Sequence, residues 1–138
     1  MNIREPASVA VLAGGSATLT QSWRVESPGP HGLDLDREGG TAFVACDGAQ
    51  VIAIDVRNGR ETGRTAISGE PDAIWFDRQR RRLYVAVGDP GQIDVIDTER
   101  MALVESVATE VGAKTTAFDH DRQRLYVFLP ASCGAAVY

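Results

Sequence analysis

Three ionisable residues of different kinds, His31, Asp72 and Lys114, each stand five residues ahead of an aspartate: Asp36, Asp77 and Asp119. An imidazole, a carboxylate and the only lysine of the chain, gathered at one place, would form a polar ring that holds a ligand by charge and hydrogen bonds. Asp47, Asp89 and Cys133 lie on neighbouring loops that could extend such a ring. The three aspartates look like another chemical set, since grouped carboxylates hold metals or move protons. The same residue type recurs at the same place in every unit, however, which assigns these aspartates to the framework. An Asp at a strand end bonds the backbone of the following turn. Asp55 and Asp97 read the same way. For the ring, two plainer readings stay open: loops tolerate many polar residues, and His31, between Pro30 and Gly32, could simply fix its own loop.

The spacing comes from an internal repeat. LDLDREGGTAFVAC (33–46), IWFDRQRRRLYVAV (74–87) and TAFDHDRQRLYVFL (116–129) each carry an aromatic seven residues after the Asp: Phe43, Tyr84 and Tyr126. The period is 41 and then 42 residues, the extra residue lying where GDPGQ (88–92) replaces DGAQ (47–50). A second shared segment follows twice, as VIAIDVRNGRETGRT (51–65) and IDVIDTERMALVESV (93–107). Short runs of Val, Ile, Leu, Phe and Tyr alternate with Gly, Pro, Asp and Asn, and no sustained helical period is present. Asn58-Gly59 is a strong hairpin signal. In the first unit the predicted strands lie near 32–36, 41–46, 50–56 and 61–67. Four strands in about 40 residues is the signature of a β-propeller blade.

Pro30-His31-Gly32, the Asp36 turn, RLYVAV (82–87) and IDVIDTERMALVESV together resemble the YVTN-type β-propeller repeat family. The Tyr-Val-Thr-Asn tetrapeptide itself is replaced by Phe43-Val44-Ala45-Cys46, Tyr84-Val85-Ala86-Val87 and Tyr126-Val127-Phe128-Leu129. The resemblance implies an all-β fold and leaves activity open. The expected architecture is an arc of about three four-stranded antiparallel blades: a partial blade at 1–29 made of third and fourth strands, full blades at 30–70 and 71–112, and a partial blade at 113–138. Closed propellers have typically 4–8 blades, so the arc expects a second copy or the remainder of a longer chain to close the ring.

Composition limits the function classes. The 138 residues are 43% hydrophobic and 24% charged, which fits one globular domain. A net charge of -5 argues against nucleic acid as a partner. The apolar stretch at 9–13 is too short for a signal segment or a membrane span, so the expectation is a soluble, cytoplasmic protein. Two cysteines, Cys46 and Cys133, read as buried free thiols. The arginines of 78–82, echoed by Arg122 and Arg124, read as a solvated turn rather than as a phosphate site, and Trp75 as wedged between blades. His120 sits in a surface turn. No Gly-x-Ser-x-Gly, His-Glu-x-x-His or Cys-x-x-Cys motif is present. No cofactor or metal is expected. One functional reading is a non-catalytic module that binds a small molecule or a protein on the channel-mouth loops. The other is a metal-dependent lactonase resembling gluconolactonase and regucalcin-like propellers, for which the chain offers few Asn ligands: Asn58, committed to a hairpin, and Asn2, expected at a loose terminus.

Overall fold

The computed structural model describes residues 1–138 and contains fourteen strands in four antiparallel sheets, with no helix. The first sheet is β1 (Asn2–Ile3), β2 (Ser8–Leu12) and β3 (Leu19–Arg24). The second is β4 (Pro30–Asp36), β5 (Thr41–Cys46), β6 (Gln50–Asp55) and β7 (Glu61–Ala66); the third is β8 (Pro71–Asp77), β9 (Arg82–Val87), β10 (Gln92–Asp97) and β11 (Ala102–Ala108). β12 (Thr116–Asp119), β13 (Arg124–Leu129) and β14 (Gly134–Val137) form the fourth. Within each sheet neighbours in sequence are neighbours in space. The chain is thus an arc of a β-propeller, with two four-stranded blades flanked by a three-stranded sheet at each end.

Burial follows position in the blade. The middle strands β5, β6, β9 and β10 are covered on both faces, which is why they are mainly apolar, with Asp94 on β10 the exception. The outermost strands β7 and β11 are largely exposed; β7 is correspondingly polar, whereas β11 leaves Leu103 and Val104 at the surface. Side chains of one strand alternate between two seams. On β5, Ala42, Val44 and Cys46 pack toward the first sheet with Val9 and Val25, whereas Phe43 and Ala45 pack toward the third with Leu83, Val85 and Val87. On β9 the alternate residues Tyr84 and Ala86 meet Phe118, Leu125 and Val127 of the fourth sheet.

Polar groups also cross the seams. The Asp34 carboxylate accepts the Phe76 N–H at 2.7 Å. Asp94, fully buried on β10, accepts the Ser68 N–H at 2.6 Å and the hydroxyls of Ser68 at 2.8 Å and Ser106 at 2.6 Å. Trp75 lies between the third and fourth sheets, and its indole N–H donates to Thr116 Oγ1 at 2.9 Å.

At the turn edge every repeat aspartate accepts backbone N–H groups from the turn it begins. Asp36 takes Gly39; Asp77 takes Gln79 and Arg80; Asp119 takes Asp121 and Arg122. Asp55 and Asp97 repeat the arrangement one hairpin later. The Arg57 side chain and backbone N–H hold the Asp55 carboxyl down to about 2. The Arg100 N–H leads the same downward shift at Asp97, and the Arg122 N–H at Asp119. At Asp36 burial pushes upward, but the Gly39 N–H and the Arg81 guanidinium outweigh it and leave the carboxyl low.

Several sequence expectations need correction. The arginine run lies in an exposed turn as expected but is ion-paired as well: Arg81 reaches Asp36 of the preceding blade at 2.7 Å and lies 5.4 Å over the Phe76 ring, while Arg82 pairs with Asp97 at 3.1 Å. Desolvating an aspartate at a strand end creates a demand for cations that composition alone does not display. The N-terminal sheet has three strands instead of two. Asn2 is anchored, because its side-chain amide donates to the carbonyls of His31 and Gly32 at 2.9 and 3.0 Å. Of the free cysteines, Cys46 is buried and its thiol is pushed up to about 11 by burial, whereas Cys133 is exposed.

Candidate functional site

The edge opposite the repeat aspartates is built by three loop entries into innermost strands. The ladder between β4 and β5 shifts register between Pro30 and Leu33, and that between β8 and β9 shifts at the corresponding place, between Pro71 and Ile74. His31 and Asp72 occupy these matching bulges, which turn a side chain out of the ladder. Gly32 permits the arrangement, since a Cβ there would fall 2.9 Å from Ile74 Cγ2 and 2.5 Å from the Asp72 carbonyl oxygen. Lys114 follows the turn at Gly112, a residue with φ +85°. Asp47 and Asp89 stand just beyond the ends of β5 and β9.

These five residues line one cavity of about 430 Å³, together with Arg4 and Glu70. His31 is placed between two carboxylates: Nδ1 lies 3.6 Å from Asp47 Oδ1, and Nε2 lies 3.5 Å from Asp72 Oδ1. The other oxygen of Asp72 is 3.8 Å from Lys114 Nζ. Arg4 pairs with Asp47 from the opposite side. Asp72 is therefore shared between His31 and Lys114, and Asp47 between His31 and Arg4. The cavity presents cationic and anionic groups side by side and has only one apolar lining residue. Such a surface suits a ligand carrying both signs of charge.

Cys133, the remaining loop residue considered from sequence, does not line this cavity, and no group of three or more His, Cys, Asp or Glu side chains is arranged to hold a metal ion. Arg4 and Glu70 were missed by sequence reasoning. Arg4 precedes the first repeat and has no counterpart to draw attention to it; Glu70 could have been noticed as the residue before Pro71 in the same entry loop. A second cavity, of about 540 Å³, opens between the third and fourth sheets, lined by Tyr84, Ile93, Val107, Phe118, Leu125 and Tyr138 among others. Arg80, Arg82, Glu105 and Gln123 also line it, beside the three-stranded fourth sheet.

Comparison with known proteins bears on the fold. The chain superposes on a chain of the Kuenenia stuttgartiensis hydrazine synthase with a TM-score of 0.69 at 21% identity, over 86% of this chain and 33% of that one. The fold is that of a β-propeller. In sequence it is similar to the uncharacterized protein YncE of Salmonella typhimurium, with 31% identity over 96 residues, and to that of Salmonella typhi at 30%. The matched region is 69% of this chain but only 27% of those relatives, so the chain spans about a quarter of their length. No family model matches it. No helix is long and apolar enough to cross a membrane.

Proposed function

We propose that the chain is a non-catalytic β-propeller module of the YVTN type, whose blades at 30–70 and 71–112, together with Lys114 of the partial blade at 113–138, carry a binding site for a small ligand of mixed charge at the channel mouth. The observation that carries this reading is the convergence of His31, Asp72, Lys114, Asp47 and Asp89, from five separate segments of the chain, on one polar cavity. His31, Asp72 and Lys114, which differ between repeats at one equivalent position, meet there, whereas Asp36, Asp77 and Asp119, common to the repeats, are engaged in the turns at the other edge. The free thiols fit a reducing, cytoplasmic setting.

The test is a titration of the full chain with free amino acids and short peptides, followed by backbone amide shifts. A charged, zwitterionic compound should move the amides of His31, Asp72 and Lys114. Losing one charge-assisted contact corresponds to about tenfold in affinity, so each of His31→Ala, Asp72→Ala and Lys114→Ala should weaken that compound about tenfold. Affinity unchanged in all three variants removes the site.

A further inference from the structure

His31 stands between two acceptors. Its Nδ1 lies 3.6 Å from Asp47 Oδ1 and its Nε2 lies 3.5 Å from Asp72 Oδ1. A neutral imidazole carries one N–H and one lone pair, whereas an ionised carboxylate only accepts. One of the two contacts therefore sets a lone pair against a lone pair until the ring gains a second proton or a donor from outside joins it. Both separations exceed an ordinary hydrogen bond, so neither contact is closed. The backbone beneath the ring is held all the same: it lies in the β4 bulge, where the carbonyls of His31 and Gly32 accept the Asn2 amide at 2.9 and 3.0 Å.

The groups around the ring are all charged. Asp47 is paired with Arg4 on its far side, and the second oxygen of Asp72 is 3.8 Å from Lys114 Nζ. Glu70 and Asp89 complete the charged lining of the cavity. Histidine is the side chain that ordinarily changes charge between about pH 5 and 8, and His31 is the one histidine at this mouth; His120 lies in a hollow at the turn edge. The imidazole is 38% exposed, so protons from solvent reach it, while the Asp47 carboxylate behind it is only 19% exposed.

We infer that His31 is a proton-operated gate for the cationic end of the bound molecule, an inference that rests on the mixed-charge reading of the mouth. While the ring is neutral, an ammonium group donates one N–H to the free imidazole nitrogen and another to the carboxylate beside it, supplying the donor that both lack. Lys114, held only loosely by Asp72, takes the anionic end of the same molecule. When the ring gains its second proton, its own two N–H groups serve Asp47 and Asp72, and its positive charge repels the ammonium group. Acidification thus closes the mouth to an amine: one proton is taken up at His31 as one molecule leaves.

Titration of the full chain with L-lysine at about pH 7.5 and about pH 5, followed by backbone amide shifts, tests this, because lysine keeps its ε-ammonium group and its carboxylate across that window. Affinity should fall about tenfold at the lower pH, the worth of one charge-assisted contact. Linkage is reciprocal, so saturating lysine should lower the midpoint of the His31 ring-nitrogen titration by about one pH unit. His31→Gln keeps one donor and one acceptor but cannot take up the proton, and its lysine affinity should be the same at both pH values. The gate is overturned by equal wild-type affinity at the two pH values, by tighter binding at the lower one, by a midpoint that lysine leaves in place, or by His31→Gln keeping the tenfold drop. Where lysine still moves the amides of His31, Asp72 and Lys114 in these cases, the binding site stands and the gate alone falls. Amides unmoved by lysine at about pH 7.5 also overturn the gate, and amides unmoved by every amino acid and peptide tried remove the site with it.

Discussion

The two edges of each blade are built on opposite rules. At the turn edge Asp36, Asp77 and Asp119 repeat the same carboxylate-to-backbone geometry, and arginines neutralise them: Arg80 and Arg122 from the same turn as Asp77 and Asp119, and Arg81 from the next blade at Asp36. At the mouth edge the equivalent positions carry His31, Asp72 and Lys114, whose nearest charged contacts are 3.5 to 3.8 Å, longer than ordinary hydrogen bonds. The first edge is saturated with internal partners. The second holds its charges close without committing them, which leaves donors and acceptors for something else. Repetition therefore marks what a blade needs in order to exist, and variation marks where the arc differs from any other stack of blades.

The sharpest way to break this comparison is at the seam. Asp94→Ala strips three hydrogen bonds from a fully buried carboxylate and leaves the Ser68 and Ser106 donors without a partner. A loss of about 2–4 kcal/mol is expected, read from the urea midpoint; a loss below about 1 kcal/mol would show that the staple contributes little.

Acid should attack the turn edge next. Asp55, Asp97, Asp119 and Asp36 all have carboxyls held below the ordinary value near 3.9. The unfolded chain takes up protons first as pH falls, so the stabilisation is complete above about pH 4 and is lost as pH drops through the lower folded values, about 2 for Asp55. Melting temperature should be level from about pH 7 to 5 as far as these groups go and then decline below about pH 4. Stability that rises on acidification below pH 4 contradicts the assignment.

The smallest effect belongs to the mouth. His31→Ala, Asp72→Ala and Lys114→Ala should each leave stability within about 0.5 kcal/mol of wild type, as substitutions away from structural features do. A large loss at any of the three would make that residue part of the framework and take it out of the ring.

Much of the fold was legible beforehand because the blade repeats. Strand ends expected at 32–36, 41–46, 50–56 and 61–67 fall at Pro30–Asp36, Thr41–Cys46, Gln50–Asp55 and Glu61–Ala66. The repeat aspartates were readable as turn formers because a short carboxylate at a strand end has few other uses. Asp94 was hidden inside IDVID, although it breaks the pattern by standing where the preceding unit has Ile52. A charge at a core position is a signal only once its partner is known, and Ser68 lies 26 residues away. Arg4 is hidden for the same reason, since its partner Asp47 is 43 residues distant.

The linear chain by itself determined the wedge-shaped unit, because strand alternation, hairpin residues and Asx turns act over a few residues and are written locally. Only the tertiary structure decided which wedge faces met, which charges became neighbours and which apolar faces were left open. Those outcomes depend on contacts between residues tens of positions apart, and the free energy of such a contact is absent until the sheets have stacked.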